Sequence, residues 1–225
     1  KRAEDLNNRV FLFFAVLGTA DVVAEFFTNY YITSYNSDME NAAVIVTTIF
    51  YLLQALLPVT FIFYIQTLHE QKIISAKKMF ISGVPTLVLI SVILTNPFTE
   101  KLFSFDVTAG YVKGPWYLLM YVSALGHFAV ALLLILLWRK KLGPQKVKVL
   151  LEIFVISGVG VVLQMFCQSL LMTGFGMSLG ILALFITINN PNANLDSLTG
   201  LYNHLYLTRK MGELIASGKS FHIIS

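Results

Sequence analysis

Asp21 and Glu25 are separated by one helical turn inside the first long apolar run, and Asn29 continues the same face at i+8. A charged side chain at the centre of a bilayer costs about 2.5–3.5 kcal/mol on the insertion scale. Two carboxylates on one face must therefore turn inward, toward polar partners or a water-filled cavity. Partners are available at matching depth. Counted from the ends of the runs, Asp21, Gln54 in the second run and His127 in the fourth lie near the midplane. Gln164 and Gln168, spaced i to i+4 in the fifth run, lie in the outer half with Glu25. Together Asp21, Glu25, Gln54, His127, Gln164 and Gln168 form a candidate ligand-binding set, open to the outside, with acceptors, amide donors and a titratable ring. None of these residues is assigned a catalytic or metal-binding role. The competing reading is packing, because interhelical polar contacts average about 0.6 kcal/mol and are commonly structural. His127 alone reads as a packed histidine unless it pairs with Asp21.

The elements that must carry these groups follow from composition. The chain has 225 residues, 56% hydrophobic and 12% charged, with a mean hydropathy of +0.73. Soluble domains carry roughly 25% charged residues, so this chain lacks the polar groups to cover a globule in water. Apolar runs long enough to cross about 30 Å of hydrocarbon occur at Val10–Ile32, Ala43–Ile65, Met79–Asn96, Trp116–Trp138, Val149–Leu170 and Leu171–Ile188. Lysine and arginine placement orients them. Lys1, Arg2, Arg9, Lys72, Lys77, Lys78, Arg139, Lys140, Lys141, Lys146 and Lys148 fall on one side, against Lys101 and Lys113 on the other. Both termini are thus expected on the cytoplasmic face. The formal charge of +4 is a topology signal, and a nucleic-acid partner is not expected. Tyr30, Tyr31, Trp116, Tyr117 and Trp138 sit near run ends, where an interfacial aromatic belt is expected. Pro58 and Pro85 fall inside runs and are expected to kink them. Ser157, Gly158 and Gly160 permit close helix approach. The single cysteine, Cys167, allows no disulfide within the chain and reads as an apolar filler. The first residue is Lys, so the chain is expected to begin partway into a longer protein.

After the last run, Asn189-Asn190-Pro191-Asn192-Ala193-Asn194 is turn-rich. Leu195 to Ile215 then reads as largely helical, and Phe221-His222-Ile223-Ile224 as the start of a strand. Between Ile188 and Leu198 there is no room for a long coiled coil. The segment Asp196-Ser197-Leu198-Thr199-Gly200-Leu201-Tyr202-Asn203 resembles the opening of a GGDEF domain, the bacterial module that makes cyclic di-GMP. The residues that carry the resemblance are Asp196, Leu198, Thr199, Gly200, Leu201 and Asn203, with His204 standing where the family usually has Arg.

A second resemblance lies in the loop TNPFTEKLFSFDVTAGYVKGPWY. Its Asn96-Pro97, Phe103, Phe105 and Gly114-Pro115 are similar to the seven-helix sensor region of some bacterial histidine kinases and GGDEF proteins. The two resemblances imply an all-α transmembrane bundle over residues 1–190, with six spans here and seven in the full protein. Residues 191–225 would then hold a linker, the first helix and the start of the first strand of an α/β GGDEF domain. They further imply a receptor in the bacterial inner membrane that detects a small-molecule or ionic signal. A homodimer and a diguanylate cyclase output are implied with it. Magnesium and GTP would be bound by residues beyond Ser225, so no catalytic residue falls in this chain. A proton- or cation-linked transporter built on Asp21, Glu25 and His127, or a non-sensing membrane anchor, are the alternatives.

Overall fold

A computed structural model of the chain describes residues 2–70, 76–166, 172–189, 196, 199 and 201–216. Each of the six apolar runs is helical there: α1 (Arg2–Thr33), α2 (Glu40–Glu70), α3 (Ala76–Thr99), α4 (Leu118–Leu137), α6 (Pro144–Phe166) and α7 (Met172–Leu184). A single turn, α5 (Arg139–Leu142), joins α4 to α6. Among the described residues, four helical stretches are long and apolar enough to cross a membrane: Leu6–Thr33, Ser37–Glu70, Leu118–Leu137 and Pro144–Gln164. The third and sixth runs contribute shorter apolar helices, Gly83–Thr99 and Gly174–Ile188. Both expected prolines are accommodated within helices, Pro58 in α2 and Pro85 in α3, and Pro97 is also helical near the end of α3.

The expectation of an all-α bundle needs correction in the loop between α3 and α4. That loop folds as an antiparallel hairpin, β1 (Phe103–Asp106) and β2 (Gly110–Lys113), paired Phe103↔Lys113, Ser104↔Val112, Phe105↔Tyr111 and Asp106↔Gly110. The alternation of Phe103 and Phe105 with Ser104 has strand period and puts both rings into the core, 1% and 8% exposed. The turn is closed by Asp106, whose Oδ1 accepts the N–H groups of Thr108 and Ala109 at 2.8 and 2.9 Å. Gly110 supplies the left-handed backbone, φ 68°, that ends it. Asn96 anchors the hairpin to α3: its Nδ2 donates to the Phe103 carbonyl at 3.0 Å and its Oδ1 accepts the Leu102 N–H at 2.7 Å. Gly114 closes the base, where a Cβ would run into the Lys101 carbonyl.

Helix α2 is the hub, packing against α1, α3 and α4. At the hairpin end a core of Phe50, Tyr51, Ala55, Leu89, Ile93 and Leu102 receives Phe103 and Phe105 from above. At the other end His69 of α2 stacks on Trp138 at the end of α4, ring centroids 4.0 Å apart. Meanwhile one face of α1 leaves Leu12, Phe13, Val16, Val23 and Phe26 exposed, as α4 does Val122, Leu125, Leu133 and Leu137. Apolar faces of that extent are what a hydrocarbon solvent accommodates and water does not.

Residues 184–225 form a second compact unit. The chain passes from α7 through a π-helical turn, Phe185–Asn189. Helix α8 (His204–Ala216) begins well after the expected Leu195. The delay has a local cause. Asp196 Oδ1 accepts both the N–H and the hydroxyl of Thr199 at 2.9 and 3.0 Å, and the Asp196 N–H donates to the Leu201 carbonyl at 2.7 Å. Such an Asx-type turn competes with helix. Asn203 then caps α8, its Oδ1 accepting the Tyr206 N–H at 2.9 Å. The expected strand at Phe221–Ile224 lies outside the described residues, as do Leu198 and Gly200 of the motif.

Candidate functional site

Asp21 is fully buried on α1, and both its oxygens accept from Gln54 Nε2 of α2, at 3.1 and 2.9 Å. Because a carboxylate only accepts, the contact fixes which way the glutamine amide points. One turn along α1, Glu25 is 3% exposed. Its Oε1 accepts Gln164 Nε2 of α6 at 2.8 Å, and its Oε2 accepts the Gly174 N–H at 2.8 Å. Gly174 is the third residue of α7, so its N–H has no partner within the helix. A negative group there also meets the favourable end of the helix dipole. Glycine makes this possible, since a Cβ at 174 would collide with Glu25 Oε2. Among the described residues neither carboxylate has a basic partner; both are held by neutral dipoles.

Glu25, Gln54 and Gln164 border two adjoining cavities. The first, of about 70 Å³, lies between α2, α3, α4 and α6, with Gln54, Tyr51, Pro58, Tyr117, Tyr121 and Gln164 among its walls. The second, of about 60 Å³, lies under the hairpin, bounded by Glu25, Thr28, Asn29 and Ile32 of α1, Tyr51 of α2, Tyr111 of β2, Tyr117 at the start of α4, Tyr121 of α4, and Gln164. Phe50, Tyr51, Tyr117, Tyr121 and Gln164 are common to both. Tyrosine hydroxyls meet in pairs across these walls: Tyr51 with Tyr111 at 2.6 Å and Tyr117 with Tyr121 at 2.7 Å. Thr28 is 3% exposed, and its hydroxyl has no hydrogen-bond partner among the described residues. The Asn29 side-chain carbonyl is also buried and has no partner among them.

Four of the six sequence candidates are thus brought into two hydrogen-bonded pairs, Asp21 with Gln54 and Glu25 with Gln164. His127 belongs elsewhere. Its Nδ1 faces the Ser123 carbonyl at 2.7 Å, and its Nε2 faces the Thr86 hydroxyl at 3.0 Å. A carbonyl only accepts, so Nδ1 carries the proton and the ring ties α3 to α4. No bond joins His127 to Asp21, and it takes the packed role. Gln168 lies outside the described residues. Sequence reasoning missed the tyrosines. Tyr117 read as part of an interfacial belt, yet it is buried, 8% exposed, and lines both cavities. The signals were the i to i+4 spacing of Tyr117 and Tyr121, and the turn separating Tyr51 from Gln54.

Metal-ligating clusters of three or more histidine, cysteine or acidic side chains do not occur among the described residues. Comparison with protein-family models, curated proteins and solved structures returns no match.

Proposed function

We propose that this chain is the membrane receptor half of a signalling protein, detecting a small molecule in the cavity beneath the hairpin and passing the change to a cytoplasmic GGDEF output. The observation that carries this reading is the linkage at Glu25. One carboxylate borders the cavity, holds α6 through Gln164, and holds the first turn of α7 through the Gly174 N–H. A ligand that engages Glu25 shares the carboxylate with both bonds, alters their strength, and so acts on the helix that leads into residues 184–225. The distribution of basic residues supports a hairpin outside and Asp196–Asn203 inside, on the bacterial cytoplasmic membrane. The motif's resemblance supplies the output: cyclic di-GMP synthesis from GTP and magnesium by paired domains, hence a homodimer.

Both His127 ring nitrogens face groups other than the carboxylates, Thr86 and Ser123, which counts against a proton relay through all three and so against the transporter. Substitution of Asp21 by Asn and Glu25 by Gln in the full-length protein tests the reading. Cyclic di-GMP output is expected to change, while protein level and helical content stay the same. Unchanged output would leave only an anchor, and a lost ion flux would restore the transporter.

A further inference from the structure

We propose that the cavity beneath the hairpin binds a small primary ammonium ion, a short alkylamine in its protonated form. This rests on the receptor reading and names its ligand class. Three features converge on it. First, the polar atoms awaiting a partner have the same character. The buried Asn29 Oδ1 can only accept, the buried Thr28 hydroxyl is free to accept, and each Glu25 oxygen, already bonded once, retains a lone pair. A ligand that fills this space must bring several donors, and an ammonium group has three. Second, Glu25 in the cavity wall, and Asp21 one turn along α1 outside it, have no basic partner among the described residues, and none of the described lysines, arginines and histidines lines either cavity. A bound cation supplies the charge that the glutamine dipoles leave uncompensated. Third, the remaining wall is aromatic: Phe50, Tyr51, Tyr111, Tyr117 and Tyr121. Ring faces attract ammonium groups within about 6 Å, and here one already does so. Lys113 Nζ lies 4.6 Å from the centroid of Tyr117, on an exposed side chain that does not line the cavity.

The pairing is expected to set Glu25, Thr28 and Asn29 on the ammonium and the tyrosines along the hydrocarbon part. The cavity of about 60 Å³ has room for a few heavy atoms, at roughly 10–15 Å³ for each water-sized group, and so for a short chain only. A neutral alcohol of the same shape lacks the charge and two of the three donors, and a quaternary ammonium has the charge and no donor.

Ethylammonium, ethanol and tetramethylammonium are the probes, titrated calorimetrically against the full chain in lipid nanodiscs. Ethylammonium is expected to bind, with ethanol and tetramethylammonium each weaker by about tenfold or more, the factor a charge-assisted hydrogen bond carries. Glu25→Gln is expected to remove the preference of ethylammonium over ethanol. Thr28→Val, nearly isosteric, should weaken ethylammonium while retaining the wild-type unfolding midpoint. Equal binding of amine and alcohol, or a preference unchanged in both variants, overturns the ammonium assignment. So does the absence of binding by any probe to wild-type chain that unfolds cooperatively. None of these results touches the receptor reading, which is decided separately by the effect of the carboxylate substitutions on cyclic di-GMP output.

Discussion

Asp21 shows how a buried acid is tolerated without a countercharge. Gln54 Nε2 donates to both of its oxygens, and the next acid on the helix, Glu25, is held by different dipoles. Gln54→Leu removes the only side chain bonded to Asp21 among the described residues and leaves a buried acceptor unsatisfied, a penalty of about 1–3 kcal/mol. The expected outcome is a lower thermal midpoint in nanodiscs. Pairing it with Asp21→Leu should restore much of the loss, since removing both partners is far cheaper than removing one. Additive losses in the double variant would show that the contact stabilises nothing. This pair was legible in the sequence because polar groups are rare in apolar runs and depth is countable along a helix. The tyrosines were not, because an amphipathic ring near a helix end looks the same whether its hydroxyl meets water or another tyrosine. His127 was legible as a packed histidine, but not its partners: depth set it level with Asp21, and the ring faces Thr86 and Ser123.

Elements repeat this division. Helices were visible from apolar run length, and only their ends moved, α1 and α2 running past the apolar stretch at both ends. The hairpin was hidden because its strands are four residues each and its stability comes from outside itself, through Asn96 and the Phe103 and Phe105 rings. In the motif, the helix started late because Asp196 and Thr199 bond each other before any helical turn can form. The hairpin turn carries a pH dependence that follows from the same chemistry at Asp106. Hydrogen bonds from the Thr108 hydroxyl and from the Ala109 and Thr108 N–H groups hold its carboxyl below the ordinary value. A depressed folded-state pKa stabilises the turn above the unfolded value, about 3.9, and the stabilisation is lost as pH falls through the lower folded one. The Thr108 and Ala109 amide resonances should therefore hold steady from neutral pH down past the ordinary carboxylate range and shift only below it. Asp106→Asn should abolish that step, and a step at or above the ordinary value would contradict the assigned bonds.

For the whole molecule, the proposed orientation joins charge to geometry. The basic residues cluster in the loops after α2 and α4, and the ends of those two helices meet where His69 stacks on Trp138. The hairpin sits at the opposite end of α4, whose 20 residues span about 30 Å, the thickness of the hydrocarbon core. Thr108 at the hairpin tip and Lys141 after α4 are both exposed, so they report opposite faces of the membrane. In a Cys167→Ala background, Thr108→Cys is expected to react with an impermeant maleimide added to intact cells. Lys141→Cys should react only once the membrane is opened. The reverse pattern would put Asp196–Asn203 outside, away from GTP, and would end the GGDEF reading while leaving the bundle and its cavity intact. Labelling of both positions from one face would be more severe, because α4 would then not cross, and the cavity it walls with Tyr117 and Tyr121 would open to water and not to a low-dielectric interior.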